Sequence, residues 1–311
     1  MQRLTILSLL LIVVHLCAAQ KSSKFLAKFD EPEIQGKVKM IQETMDTIHR
    51  EEANLKLGSI YRSYYYYNTS RQLDSTISLS VKGFIVKRNF TYDDRGHEIK
   101  ATTYNNRKGT YRKELQNEYF YNAQGVISKR ILHFPKKVKS ITLYNEHGDE
   151  VEIDEYGVRK SADKTKTDSL EDQITVKNTY GANGLLYEAK YYDADTLLHI
   201  VYHKYDTDSN EIEVRVLGSD GNTNYINEYS YNKKGLVIEC TGQDGKGNLI
   251  SHQKYDDYGN PTDFIYYKKN GTIDFHSHTD YEYDKEGNWI KRISLSKKGE
   301  KITDIRTIEY Y

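Results

Sequence analysis

The stretch "YEYDKEGNWIKRI" (281–293) is written several times over in this chain. Its cadence returns in "EYSYNKKGLVIEC" (228–240), "NEYFYNAQGVISKR" (117–130) and "FTYDDRGHEIK" (90–100). Each copy alternates apolar and polar residues up to a tyrosine, turns, and alternates again. That is the pattern of a β-hairpin with one buried face. The tyrosine before the turn recurs nine times, at Tyr67, Tyr92, Tyr121, Tyr144, Tyr180, Tyr205, Tyr231, Tyr255 and Tyr283. Asp or Asn follows it in every copy except at Gly181. The fourth residue beyond it is glycine in seven copies: Gly96, Gly125, Gly148, Gly184, Gly235, Gly259 and Gly287. Asp or Asn at the first turn position bonds the backbone two residues on, and glycine takes the positive φ that closes a hairpin with a bulge. Arg71 and Ser209 depart from the pattern, and Asn210 is expected to take the left-handed position in its copy.

A second turn signal falls about halfway between anchors, as in "SDGN" (219–222), "DGKGN" (244–248) and "KKNG" (268–271). Each repeat is therefore two strands and two turns. The expected fold class is all-β, an antiparallel meander of about nine two-strand hairpin repeats forming a curled, barrel-like or superhelical single sheet. In "YINEYSYN" Tyr225, Asn227, Tyr229 and Tyr231 share one face, and the tyrosine face is expected inside. Ile99, Val151, Ile212, Ile238 and Ile290, each seven residues after an anchor, are expected to fill the space between neighbouring tyrosines. The chain ends in a long β-prone strand, "KITDIRTIEYY" (301–311), that nothing blunts. It should be covered by the segment after Gly36 or by a partner molecule.

The first residues, "MQRLTILSLLLIVVHLCAAQ", carry Arg3, an apolar run and a small-residue site after Ala19. They read as a signal peptide over 1–19, which makes the protein exported, to the periplasm or the cell surface. Leu16 is bulky where lipid attachment at Cys17 would need a small residue. Residues 20–59 form an N-terminal segment. In it Val38, Ile41, Met45 and Ile48 have near-helical spacing, but an opening strand after Gly36 is the favoured reading. Residues 60–311 are the repeat domain, with a charged surface loop expected at 157–173. Cleavage after Ala19 would leave Cys240 alone, so core and ladders must hold the fold without an internal disulfide.

The phrases "YEYDKEGNW", "KYDDYGNP" and "TYDDRGHE" resemble the tyrosine–aspartate (YD) repeats of RHS-type proteins and of small exported bacterial proteins built from such copies. The resemblance covers about residues 60 to 311. It implies a β-repeat fold and export, and it carries over no catalytic residue.

Charge excludes little but is informative. The chain of 311 residues carries 45 basic and 45 acidic residues, so no global field draws it to nucleic acid. There is no nucleophile elbow, phosphate loop or HExxH, and no cofactor is expected. "DEVEIDE" (149–155) offers carboxylates for an alternative reading as a hydrolase of an exported polysaccharide. His276 and His278 share a strand face, with His252 as a third candidate metal ligand, but nothing else supports a metal site. The surplus of 29 tyrosines is the feature most suited to function, because aromatic faces stack on sugars and peptides. Trp289, Tyr64, Tyr65 and Tyr66 are the ligand-binding candidates. The expected role is non-enzymatic binding or scaffolding for envelope glycans or proteins. Charge on both faces of most strands argues that the chain does not span a membrane.

Overall fold

The computed structural model of the chain describes residues 34–48, 61–79, 85–107, 109–135, 137–160, 166–296 and 301–311. The expected signal peptide (1–19) and much of the 20–59 segment lie outside the described residues. The described chain is a succession of strands. It opens with β1 (Val38–Ile48), β2 (Tyr61–Tyr67), β3 (Leu73–Leu79), β4 (Ile85–Tyr92), β5 (Glu98–Arg107) and β6 (Thr110–Tyr121). There follow β7 (Ile127–Phe134), β8 (Lys137–Tyr144), β9 (Glu150–Lys160), β10 (Lys166–Tyr180), β11 (Leu186–Asp193), β12 (Thr196–Tyr205) and β13 (Glu211–Gly218). The last are β14 (Thr223–Tyr231), β15 (Val237–Asp244), β16 (Leu249–Tyr255), β17 (Pro261–Tyr267), β18 (Ile273–Tyr283), β19 (Trp289–Ser296) and β20 (Lys301–Tyr310).

Every strand pairs antiparallel with the next, and β1 pairs antiparallel with both β2 and β20. The twenty-stranded sheet therefore closes on itself. The bare end strand is covered by the segment after Gly36, as its edge chemistry demanded. Ile41 shows why that segment is a strand and not a helix: it is 1% exposed and lies opposite Ile308 on one side and Tyr65 on the other. Two ladders of backbone hydrogen bonds outweigh what a short isolated helix would gain. The register climbs by roughly one residue per strand around the circuit, which tilts the strands by about 35–40°. At about 4.8 Å per strand, a round barrel of this tilt has a backbone diameter of roughly 38 Å.

Closure also corrects the expectation that the chain does not span a membrane. That expectation came from charged strands taken singly. A closed antiparallel barrel has an even number of strands and no open edge, and it pairs its own backbone polar groups, which is the condition for crossing lipid with strands. The exclusion does not survive it.

The turn phrase behaves as one unit. In the copy anchored at Tyr231, the Asn232 N–H donates to the Leu236 carbonyl and the Gly235 N–H to the Asn232 carbonyl, both at 2.9 Å. The Asn232 Oδ1 accepts the N–H of Lys234 at 2.9 Å and of Leu236 at 3.1 Å. Asp93, Asn122, Asp256 and Asp284 repeat all four bonds. At Gly181 the missing side chain is replaced by Asn183, whose Oδ1 accepts the Leu185 N–H at 3.2 Å. Arg71 and Ser209 take the left-handed position themselves, at φ 63° and 64°. The expectation for Asn210 is thus corrected: its amide instead bonds the Asp206 carboxylate at 3.0 Å. Because Gly235 sits at φ +73°, Gly235→Val should lower stability by about 1–3 kcal/mol. An unchanged denaturation midpoint in urea would contradict the bulged hairpin.

Across each bulge the anchor tyrosine faces the residue six positions on, not seven as expected. The pairs include Tyr180 with Leu186, Tyr205 with Glu211 and Tyr283 with Trp289. Those three partners are all buried. The tyrosine hydroxyls then reach back to the preceding repeat. Tyr92 donates to the Leu73 carbonyl (2.8 Å), Tyr121 to that of Glu98 (2.9 Å) and Tyr231 to that of Glu211 (2.6 Å). Tyr180, Tyr283 and Tyr310 donate to the carboxylates of Asp149, Asp256 and Asp284. Tyr92, Tyr121, Tyr180, Tyr231 and Tyr283 among the anchors, and Tyr310 on the last strand, thus tie their repeats to the ones before.

The expected charged loop at 157–173 is also corrected. Residues up to Lys160 extend β9, those from Lys166 extend β10, and the two pair from Lys160↔Lys166 inward.

Candidate functional site

Burial tells which face of the sheet lies inside. Val176, Leu186, Ala189, Val201, Val214, Val216 and Tyr229 form a buried cluster along β10–β14, and register carries that face around the circuit. The anchor tyrosines share it. Burial pushes the phenols of Tyr121 and Tyr144 up to about 12, so they remain neutral hydrogen-bond donors at any physiological pH.

Where β1 meets β20, the inner wall holds a network of charges. Arg306 donates through Nε and Nη2 to Glu43 Oε2 at 3.1 and 3.0 Å. Arg292 donates to Asp304 Oδ2 at 2.5 Å and to Glu43 Oε1 at 3.4 Å. Both guanidinium groups lie over the Trp289 ring, at 3.5 Å for Arg306 and 4.7 Å for Arg292. Trp289 is only 3% exposed, so it is the floor of this network and has no face left for a ligand. That corrects its reading as a binding residue.

Tyr64, Tyr65 and Tyr66 are divided between the two walls. Tyr65, opposite Ile41, points inward, while Tyr64 and Tyr66 lie outside with ring centroids 6.5 Å apart. The three candidate metal ligands also stand outside, each engaged by a carboxylate. His252 Nε2 is 2.6 Å from Glu239, while His276 Nε2 and His278 Nδ1 are 3.1 and 3.0 Å from the same oxygen of Asp263. His278 is raised by its hydrogen bond to Asp263 and by Asp280 beyond it. Among the described residues no group of three or more His, Cys, Asp or Glu side chains is arranged to hold a metal. The carboxylates of 149–155 are spread over both walls: register puts Asp154, opposite Ile141, outside and Ile153, opposite Thr142, inside.

Two inner-wall features were not singled out in the sequence. The first is an aromatic patch on β17 and β18. The Phe264 ring lies 5.1 Å from Tyr266 and 6.1 Å from Phe275. Register places these rings opposite Gln253, Ser251 and Ser277, on the face of Tyr229 and Cys240. Tyr266 and Phe275 keep 39% and 37% of their surface exposed, so solvent reaches this wall. The second is a buried pair on β12 and β13, where His203 Nδ1 is 2.7 Å from Glu211 Oε1. Single-residue composition gave no signal for either, because both arise from which strands become neighbours.

No protein-family model matches the chain, and no curated protein matches it. Solved structures resemble it weakly. A porin-like protein from Bacteroides uniformis aligns at TM-score 0.35 and 9% identity, covering 89% of this chain and 99% of that one. A porin-like protein from Bacteroides vulgatus aligns at TM-score 0.31 and 11% identity over the same shares. A TcdB2-TccC3 structure without its hypervariable C-terminal region aligns at TM-score 0.24 and 11% identity, covering 83% of this chain and 18% of that one. At these scores the barrel rests on its own strand pairing.

Proposed function

We propose that this is a non-enzymatic barrel of the cell envelope that binds glycans on its inner wall. The observation that carries the reading is the solvent-reached patch of Phe264, Tyr266 and Phe275. Aromatic rings exposed on a concave wall stack on the apolar faces of sugar rings, while neighbouring Gln253, Ser251 and Ser277 supply hydrogen-bonding groups. The export signal in the sequence supports placement in the envelope. Calorimetric titration with a soluble glucose hexamer is the direct test. Replacing Tyr266 and Phe275 together by serine should weaken binding by about tenfold or more, roughly 1.4 kcal/mol, with little change in melting temperature. Equal affinity of the double variant would remove the patch from the site.

A second reading follows from closure. A closed barrel with a polar inner wall is also the architecture of a channel, and the same wall would then line a path for polar solutes. Ion conductance in planar bilayers containing the purified protein decides for it. Absence of conductance together with glycan binding decides for a binding barrel.

A further inference from the structure

The aromatic patch belongs to a straight row across the inner wall. Register aligns Asn227 on β14, Gly242 on β15, Ser251 on β16, Tyr266 on β17 and Phe275 on β18, each opposite the next. Gly242 is the anomaly in this row. A glycine in a strand interior costs stability, and it often marks a place where another group approaches the backbone closely. Gly242 has no positive φ to explain it, and the bulge beside it takes its extra residue from β16. Space explains it. A Cβ at this position would collide with the Tyr225 hydroxyl and stand 2.6 Å from Ser251 Oγ. The Tyr225 side chain therefore leans from β14 over Gly242 and brings its hydroxyl into the row beside Ser251. Its ring is half-buried against the core cluster of β10–β14.

We infer that this row is one elongated site for several units of an uncharged glycan laid across the strands, with the Tyr225 hydroxyl at one end and the rings of Tyr266 and Phe275 at the other. From Gly242 to Phe275 the row crosses three strand intervals, about 14 Å. A pyranose unit advances a chain by about as much as one interval, so the row takes roughly three units. The site rests on the reading that the inner wall binds glycans, and it gives that ligand a length and a charge.

The side chains of the wall set the class of sugar. The row, and the one beside it of Tyr229, Cys240, Gln253, Phe264 and Ser277, contain no charged side chain. Asp244 lies opposite Tyr225, and its carboxylate accepts the N–H groups of Lys246 and Asn248 in its own turn, both at 2.9 Å. A uronic acid or a sulfated sugar would lose hydration on this wall and find no cation in exchange. Sugar hydroxyls lose less, because Ser251, Gln253, Ser277 and the Tyr225 phenol can bond them.

Calorimetry with a glucose disaccharide, a glucose hexamer and a glucuronate hexamer, all of one linkage, tests this. The glucose hexamer should bind about tenfold more tightly than the disaccharide, which covers Tyr266 and Phe275 but does not reach Tyr225. Tyr225→Phe keeps the ring and removes the hydroxyl. It should weaken the hexamer about three- to tenfold, the worth of one hydrogen bond, and leave the disaccharide unchanged. Gly242→Ala, which pushes the hydroxyl and Ser251 aside, should do the same. A loss confined to the long ligand is not what general damage to the fold would give. The glucuronate hexamer should bind about tenfold or more weakly than the glucose hexamer. If the disaccharide binds as tightly as the hexamer, or Tyr225→Phe keeps the hexamer's advantage, the extended row is overturned and the aromatic patch alone still binds sugar. If the glucuronate hexamer binds as tightly as the glucose hexamer, the uncharged class is overturned. If neither glucose probe binds, the glycan reading falls and the row falls with it.

Discussion

Deletion of residues 301–311 should abolish the soluble monomer. The strand it removes, β20, pairs with both β19 and β1, so its loss exposes two bare edges across which the barrel closes. The same deletion takes away Arg306 and Asp304, the partners that Glu43, Arg292 and Trp289 have on β20. Unpaired edges of this length template aggregation. Size-exclusion chromatography and far-ultraviolet circular dichroism of the truncated chain are the measurements. A soluble monomer with the full-length melting temperature would show that closure at β20 is dispensable.

Arg306→Met should be the most costly single substitution at the seam. Arg306 and Glu43 are 4% and 8% exposed, so removing the guanidinium leaves a buried carboxylate with only its longer contact to Arg292, at 3.4 Å. Breaking one partner of such a pair costs about 3–5 kcal/mol. At roughly 2 °C per kcal/mol for a chain of this size, the melting temperature should fall by on the order of 6–10 °C. Glu43→Met combined with Arg306→Met should recover much of that loss, because two apolar side chains replace the pair without leaving a charge behind. If the single variant melts with the wild type, the seam is held by its backbone ladder alone. If the double variant is worse than the sum of its parts, the charges contribute more than their mutual neutralisation.

Most of the architecture follows from local chemistry that a sequence displays. Asp or Asn after an anchor tyrosine and glycine three residues later specify one hairpin, and the structure repeats that hairpin with the same four backbone-directed bonds. Alternation placed the tyrosines of β14 on one face, where Tyr229 is buried and Glu228 is not. The need to cover "KITDIRTIEYY" leaves two candidates, the segment after Gly36 or a partner molecule, and β1 supplies the cover. These signals act over fewer than ten residues or across one edge, so no distant contact can rewrite them.

The site was decided elsewhere. Trp289 reads as a platform from its place beside a turn, but two arginines, from β19 and from β20, close over it. The adjacent Tyr64, Tyr65 and Tyr66 cannot act together, because pleating sends Tyr65 to the opposite wall. His276 and His278 share a face, yet Asp263 on β17 occupies both. Conversely, Phe264 and Phe275 are eleven residues apart and meet only because β17 and β18 pair in one register. The sequence by itself determined the hairpin, its repetition and the face that turns inward, because turn geometry and strand period are local. Tertiary structure alone decided that the ring closes and which side chains share the inner wall, because closure and stagger depend on the registers of all twenty strands together.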